Sequence, residues 1–161
     1  MRWEEAKEEA EGLKLTCYDY LETSGARMET ARRLHASSRY SAAIYFAGVA
    51  IECLLRAFIT RRTSQFDERH DLLQLYNKSQ LEAFIEPEHQ RRAEAWLGEV
   101  WSRWKNNYRY ASDGRLRSEF RRLGHNRGIK GDFLKENSRR VVESGYGLWA
   151  FGERRWHSNI S

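Results

Sequence analysis

The stretch over residues 39–62 constrains the fold more than any other part of the chain. Its apolar residues recur at the i, i+3, i+4, i+7 spacing of an α-helix for about five turns. They are Tyr40, Ala43, Ile44, Ala47, Ala50, Ile51, Leu54, Leu55 and Phe58. Because apolar residues occupy much of the helix circumference, the pattern predicts a helix buried at the centre of a helical domain.

The rest of the chain also shows helical spacing, and no segment of useful length alternates like a β-strand. Residues 23–25 predict a break between two helices, and the glycines of residues 124–131 predict a loop. We therefore expect an all-α, single-domain helical bundle over residues 1–161, with about five main helices and short connecting helices. Besides 39–62, the expected helices cover about residues 3–22, 26–37, 70–77, 89–106, 113–123 and 132–157.

The formal net charge of +5 is concentrated in residues 101–131. That stretch holds nine Lys or Arg residues, and only Asp113 and Glu119 oppose them. A local excess of this kind is what an anion- or nucleic-acid-binding surface needs, and a solvated basic face is the alternative. The candidate phosphate or nucleic-acid contacts are Arg103, Lys105, Arg109, Arg121, Arg122, Arg127 and Lys130.

A glycine-containing segment, residues 127–131, precedes the last predicted helix. Glycines in this position can expose backbone N–H groups to a phosphate at the N-terminus of a helix. Asp132, as the N-cap, would occupy the same donors and repel a phosphate. The sequence leaves both interpretations open.

Several other classes of site are not favoured. Cys17 and Cys53 lie on the apolar sides of helical patterns, which indicates free thiols in a reducing cytoplasm. No apolar run approaches the roughly 20 residues that cross a bilayer, so we expect no membrane span. Glu86 and His89 have the spacing of one half of a di-iron site, but a second motif is missing and so is any CxxC pair. We therefore expect no metal and no other cofactor.

Four segments carry a resemblance to a known family. They are RYSAA (39–43) and AIECLLRA (50–57) in the central helix, HDLLQL (70–75), and WKNNYRY (104–110). Their order and spacing resemble the HEPN superfamily of small α-helical domains, whose members often show a Tyr/Ala helix with a Glu, an "H.L..L" motif and an aromatic segment ending in "RY". The resemblance covers roughly residues 26–157.

The resemblance implies a four- or five-helix bundle that is frequently a homodimer. It also implies a toxin–antitoxin or defence system, with a nucleotidyltransferase or another effector as partner. Many members are metal-independent ribonucleases in which an Arg is followed by a His with four to six residues between the two. Here only three residues separate Arg121 from His125, and two separate Arg122 from it. The ribonuclease activity is therefore not carried over from the resemblance.

Some side chains could nevertheless support chemistry or line a cleft. His70, Arg109 and His125 are of the types that metal-free RNA cleavage requires, a base and a cation on the phosphate. The alternative for His70 is a helix-capping or core hydrogen-bonding role. Glu52 is an ionisable group on an apolar helix, so we predict that it pairs with His70 or Arg109. The other structural or cleft candidates are Trp104, Asn107 and Tyr110.

Three functions remain open at this point. The first is a nucleic-acid- or nucleotide-associated module that binds RNA or a nucleotide without the standard ribonuclease site. The second is a metal-independent ribonuclease with a non-standard Arg/His arrangement. The third is a dimeric helical adaptor for an acidic protein partner. The local positive charge favours the first, because phosphate contacts dominate nucleic-acid affinity.

Overall fold

A computed structural model describes residues 13–158 of the chain. Within that range the backbone forms six α-helices and two short 3-10 turns, and it contains no β-strand. The helices are α1 (Cys17–Ala36), α2 (Tyr40–Arg62), α3 (Leu72–Ser79), α4 (Pro87–Arg103), α5 (Asp113–Leu123) and α6 (Phe133–Ser158), and the 3-10 turns cover Leu81–Phe84 and Asn106–Tyr110. The prediction of an all-α bundle is confirmed.

Helix α2 runs through the centre of the bundle, as its apolar pattern predicts. Ile44, Ile51 and Leu54 are fully buried, and α1, α3 and α6 pack around the helix. Gly48 allows the closest approach, because a Cβ at this position would lie 2.1 Å from Cδ1 of Trp104. The indole therefore packs directly on the backbone of α2, and any larger residue at position 48 would displace it.

Helix α2 is also long and apolar enough to cross a membrane by length and composition alone. It has 23 residues, and its most apolar stretch reaches a mean hydropathy of 1.8. The expectation that no apolar run reaches spanning length was therefore wrong for this helix. Since 67% of that stretch is buried inside the protein, the helix has the burial of a bundle core, and its composition is weak evidence for a membrane span.

Helix α1 differs from its prediction at its start. It begins at Cys17, where Thr16 and Asp19 form a capping box: Thr16 Oγ1 accepts from the Asp19 N–H at 3.2 Å, and Asp19 Oδ2 accepts from the Thr16 N–H at 2.7 Å. Residues 13–16, assigned to the first predicted helix, are not helical, and residues 3–12 lie outside the described range.

The predicted break at residues 23–25 is wrong, because α1 continues through them. Ser24 is buried, and its hydroxyl accepts a hydrogen bond from Trp149 Nε1 at 3.0 Å. A Cβ at Gly25 would lie 3.3 Å from the same indole. The small residues are therefore the place where α1 meets α6, and tertiary packing outweighs their weak helix propensity.

The segment after α4 connects the core to the surface. Helix α4 ends at Arg103, three residues earlier than predicted, and Trp104 follows as a buried residue. Trp104 Nε1 donates to the carbonyl oxygen of Tyr45 at 3.0 Å. The 3-10 turn then leads to α5, whose N-cap is Ser112 and whose C-cap is Gly124 in the left-handed conformation (φ 79°).

Candidate functional site

The 3-10 turn after Trp104 and one face of α5 enclose a surface cavity of about 600 Å³. We call it the basic groove. Its lining residues include Lys105, Asn107, Tyr108, Tyr110, Arg115, Ser118, Glu119 and Arg122. Cavities of this size are typical of sites for small ligands or for part of a larger one.

The basic groove holds three cations and one carboxylate. Arg122 Nε donates to Glu119 Oε2 at 3.1 Å, and this pairing lowers the pKa of Glu119, so that carboxylate stays ionised and largely neutralises Arg122. Arg115 is exposed and makes no ion pair with any residue in 13–158. Lys105 is also exposed, and its Nζ lies 5.4 Å from the ring centroid of Trp101. The groove therefore retains a net positive charge.

Two tyrosines of the 3-10 turn contribute to the same groove in different ways. Tyr108 is half-buried and contacts the ring of Phe120 at a centroid distance of 6.3 Å. Its burial, together with the nearby Glu119, raises its pKa to about 12. Tyr110 is 77% exposed. The exposed guanidinium of Arg109 lies 4.6 Å from the Tyr110 ring centroid. Arg109 does not line the basic groove or a smaller cleft that lies beside it.

A smaller cleft of about 240 Å³ lies beside the basic groove. We call it the His70 cleft; it is lined by His70, Asp71, Leu72, Trp101, Trp104, Lys105 and Asn106. Lys105 lines both cavities, so it stands between them. Trp101 is 37% exposed and forms part of the cleft wall.

Glu52 holds His70 in this cleft. His70 Nδ1 lies 2.8 Å from Glu52 Oε1, and because a carboxylate only accepts, Nδ1 carries the proton. Glu52 also accepts from Arg56 Nε at 3.0 Å. The prediction that Glu52 pairs with His70 or Arg109 is therefore confirmed for His70. Nε2 of His70 has no hydrogen-bond partner among the described residues, and the side chain is 46% exposed.

The local sequence explains why His70 sits at this position. Asp71 is the N-cap of α3 and accepts from the N–H groups of Leu73 and Gln74 at 2.9 and 3.1 Å. The capping role considered for His70 thus belongs to its neighbour. The preceding loop is fixed by Arg56, which donates to the carbonyl oxygens of Asp67 and Arg69 at 2.6 and 2.7 Å.

His125 and Arg103 are structural rather than part of either cavity. His125 is half-buried, with Nε2 3.1 Å from the carbonyl oxygen of Ser102, and burial lowers the pKa of its imidazole. Arg103 is buried, and Nε donates to Asn137 Oδ1 at 2.6 Å while Nη1 pairs with Glu99 at 2.8 Å. The interpretation of Arg103 as a surface phosphate contact was wrong, because its charge is used to hold α4 against α6.

The loop over residues 124–131 keeps its cations at the surface, and the helix that follows it is capped by Asp132. Arg127 and Lys130 are exposed. Asp132 accepts from the N–H groups of Leu134 and Lys135 at 3.1 and 3.2 Å, so the start of α6 is capped from within the chain. Asp132 also pairs with Arg117 at 2.8 Å. The capped-helix interpretation is therefore the one that the structure favours over a backbone phosphate site.

The remaining basic candidates, Arg121 and Arg122, lie on different sides of α5. Arg122 lines the basic groove. Arg121 is exposed, and its guanidinium lies 5.0 Å from the ring centroid of Phe133 at the start of α6. Arg121 therefore faces the loop side of α5 and is no part of the groove wall.

Sequence reasoning missed three residues of this end of the molecule: Arg115, Tyr108 and Trp101. A usable signal existed for the first, because Arg115, Glu119 and Arg122 are spaced by four and three residues and so share one face of α5. No comparable signal marks Trp101, whose spacing from Trp104 equally fits a core position.

Metal and thiol chemistry find little support in the described part of the chain. Between residues 13 and 158, no group of three His, Cys, Asp or Glu side chains is placed to hold a metal ion. Glu86, which has the spacing from His89 of one half of a di-iron site, forms an ion pair with Arg155 at 2.5 Å. Cys17 and Cys53 are free thiols, and burial raises the pKa of Cys53 to about 11, which keeps it protonated at neutral pH.

A protein-family model described as "HEPN domain" matches residues 18–118, which is more than half of the chain. The matched range contains Glu52, His70, Lys105 and Arg115, and it ends within α5 before Arg122. Neither a curated protein nor a solved structure matches the chain.

Proposed function

The chain belongs to the HEPN domain family, and we propose that it acts there as a nucleic-acid-associated module that binds RNA through the basic groove. The family match supports the general assignment to nucleic-acid-associated proteins. The groove is the proposed surface because of the cations that line it.

The observation that carries the proposal is the presence of three cations in one cavity with a single carboxylate. Lys105, Arg115 and Arg122 all line the groove, and among the described lining residues only Glu119 opposes them. Exposed Lys and Arg side chains that are not already paired can replace the counterions of a phosphate backbone, and this release dominates nucleic-acid affinity. Asn107 adds an amide that can donate to a phosphate or a base edge.

Binding of a labelled RNA oligonucleotide to the purified protein at low salt tests the proposal. Lys105→Ala/Arg115→Ala removes two groove cations and is expected to weaken binding roughly tenfold. The matched control is Arg91→Ala/Arg92→Ala, which removes two exposed cations from α4 outside the groove. Equal affinity losses for the two double variants, or no RNA binding by the wild type at low salt, would contradict the proposal.

We extend the proposal to the biological setting that the family suggests. The module would work in the cytoplasm without a cofactor, as a homodimer, in a toxin–antitoxin or other defence system with a nucleotidyltransferase or another effector as partner. Co-purification with the product of an adjacent gene, together with the mass of the complex in solution, tests this setting. A monomer that copurifies with no neighbouring gene product would contradict it. Binding of a strongly acidic protein in place of RNA would favour the adaptor function instead.

A second function, metal-independent RNA cleavage, is favoured by the Glu52–His70 pair. Because Glu52 accepts from Nδ1–H, Nε2 of His70 is the basic nitrogen that points away from the carboxylate. It could accept the proton of a ribose 2′-hydroxyl while the 2′-oxygen attacks phosphorus. The 5′-oxygen would then leave with a proton from water, and Lys105 would stabilise the charge on the phosphate.

Incubation of RNA with the protein in the presence of a chelator tests this second function. Products with 2′,3′-cyclic phosphate and 5′-hydroxyl ends are expected for the wild type, and their formation should be abolished in His70→Gln. His157→Gln is the matched control, since His157 is exposed and pairs with Glu153 at the far end of α6. Intact RNA with the wild type, or equal cleavage by His70→Gln, would exclude this function and leave the binding proposal unaffected.

A further inference from the structure

Tyr110 is the most exposed aromatic side chain of the basic groove. It is 77% exposed, although it lies on a turn anchored by the buried Trp104 six residues earlier. A large ring held in solvent is unfavourable unless it meets a partner, because apolar surface is best removed from water. Its only recorded ring contact within residues 13–158 is with Arg109.

Arg109 covers the ring with a guanidinium at 4.6 Å from the centroid. This cation–π contact leaves most of the surface of the Tyr110 ring uncovered. Nucleic-acid bases stack well on such rings, and stacking is tolerant of sequence because every base has a π-face. A base on Tyr110 would form a three-layer stack with Arg109.

The groove cations lie on the walls of the same cavity as Tyr110. We propose that the basic groove selects single-stranded over duplex nucleic acid by stacking an unpaired base on Tyr110. The adjoining phosphates would then contact Lys105, Arg115 and Arg122. This inference rests on the proposed RNA-binding function and adds the strandedness of the substrate to it.

The selection follows from the availability of base faces. In a duplex each base is stacked between its neighbours, so neither face can contact a side chain unless the base is extruded at a cost of a few kcal/mol. An unpaired base in a strand, loop or bulge has a face to offer. Phosphate contacts alone would not distinguish the two forms in this way.

The chain offers a close control for Tyr110. Tyr146 on α6 is also an exposed tyrosine, at 39%, and Arg32 lies 4.3 Å from its ring centroid. It is not among the residues that line the basic groove. Loss of Tyr146 therefore removes the same kind of Arg-covered ring without touching the proposed site.

Affinity measurements with a short single-stranded RNA and with a duplex of the same length test the inference. Tyr110→Ala should weaken single-strand binding by roughly 5- to 150-fold, the range for loss of one base–aromatic stack. Tyr110→Phe should retain the affinity, Tyr146→Ala should match the wild type, and duplex binding should be weaker and insensitive to Tyr110. Circular dichroism checks that each variant is folded.

A set of RNAs with one abasic nucleotide at successive positions gives a direct test of the stack. At one position, loss of the base should weaken wild-type binding as much as Tyr110→Ala does, and the two changes together should cost no more than one alone. Additive losses at every position would overturn the inference.

The outcomes also separate this inference from the proposed function. If Tyr110→Ala binds single strands like the wild type, or duplex and single strand bind equally, while Lys105→Ala/Arg115→Ala loses affinity, the stacking inference fails and the RNA-binding proposal stands. If the wild type binds neither form at low salt, both fail.

Discussion

The basic groove and the loop over residues 124–131 with the start of α6 are both rich in cations, yet they use their charges differently. In the groove, Lys105 and Arg115 form no ion pair with the described residues. Beside the loop, Glu136 pairs with Arg139 at 2.5 Å and Arg140 at 3.1 Å, and these contacts lower its pKa to about 2. The start of α6 therefore has charge that is already compensated at Arg139 and Arg140, whereas Arg127 and Lys130 in the loop itself form no ion pair with the described residues.

This difference shows that a count of basic residues along the chain does not locate a binding surface. What matters is whether an acidic side chain or a backbone carbonyl already pairs with each cation. Arg103 is the extreme case, since it belongs to the basic stretch and is buried. In the groove, Arg115 of α5 and Lys105 of the 3-10 turn line the same cavity. Glu119 is the carboxylate that lines it with them.

The largest effect is expected from removing the anchor of the groove. Trp104→Ala deletes a buried indole that packs on Gly48 and donates to Tyr45. We expect the free energy of unfolding to fall by about 3–5 kcal/mol, the usual cost of truncating a buried Trp. We also expect the 3-10 turn over Asn106–Tyr110, which forms one wall of the groove, to lose its fixed position. Urea unfolding measures the change.

Trp101→Ala is the control for that experiment, since Trp101 is only partly buried. Its loss should cost clearly less than the loss of Trp104. If the two variants are equally stable, the turn does not depend on Trp104 in the way described.

A smaller effect is expected when the compensation at the loop is removed. Asp132→Asn retains a side chain that can cap α6 but removes the charge that pairs with Arg117. RNA affinity should rise a few-fold, because one negative charge is lost and Arg117 becomes available. Asp132→Ala should show the same gain in affinity and a stability loss of about 1 kcal/mol from the missing cap.

Fluorescence anisotropy and urea unfolding of the two Asp132 variants check these values. Unchanged RNA affinity in both variants would mean that Arg117 contributes nothing to RNA binding even when it is unpaired. That outcome would sharpen the contrast with the groove.

The smallest effect concerns pH and the histidine that holds the loop. Burial lowers the pKa of His125, so the unfolded chain binds a proton more readily than the folded one between the two pKa values. Stability should therefore be fully present above the ordinary histidine pKa of about 6.5 and decrease as pH falls below it. His125→Gln should lose less stability between pH 7.5 and 5.5 than the wild type.

Urea unfolding at the two pH values tests the sign of this effect. His157→Gln, at the exposed end of α6, serves as the control and should follow the wild type. An identical pH dependence for His125→Gln and the wild type would show that His125 does not titrate as described.

The sequence predicted the elements whose patterns are set by burial, and it failed where tertiary contacts decide. The apolar spacing of α2 and the isolated carboxylate Glu52 were enough to predict a central helix and the pairing with His70. The break at residues 23–25 was wrong because Ser24 packs under Trp149 of α6, a partner 125 residues away.

The candidate site was predicted only in part, for the same physical reason. Lys105, Asn107, Tyr110 and Arg122 were identified from composition and motif, and they do line one cavity. Arg103 was misassigned because its burial depends on Asn137, which no local pattern indicates. Arg115 was missed because charge counting ignores which face of α5 each cation occupies.

The salt dependence of RNA affinity shows whether the groove cations contact phosphates, because its slope counts phosphate contacts. We compare the wild type with Lys105→Ala/Arg115→Ala and with Arg127→Ala/Lys130→Ala, a matched pair from the loop. We expect the slope of log K against log salt to fall in magnitude by about 1.4 for the groove pair, at about 0.7 per contact with single strands. It should hardly change for the loop pair, because Arg127 and Lys130 do not line the groove. A slope that falls only for the loop pair, or equally for both pairs, would contradict RNA binding through the basic groove.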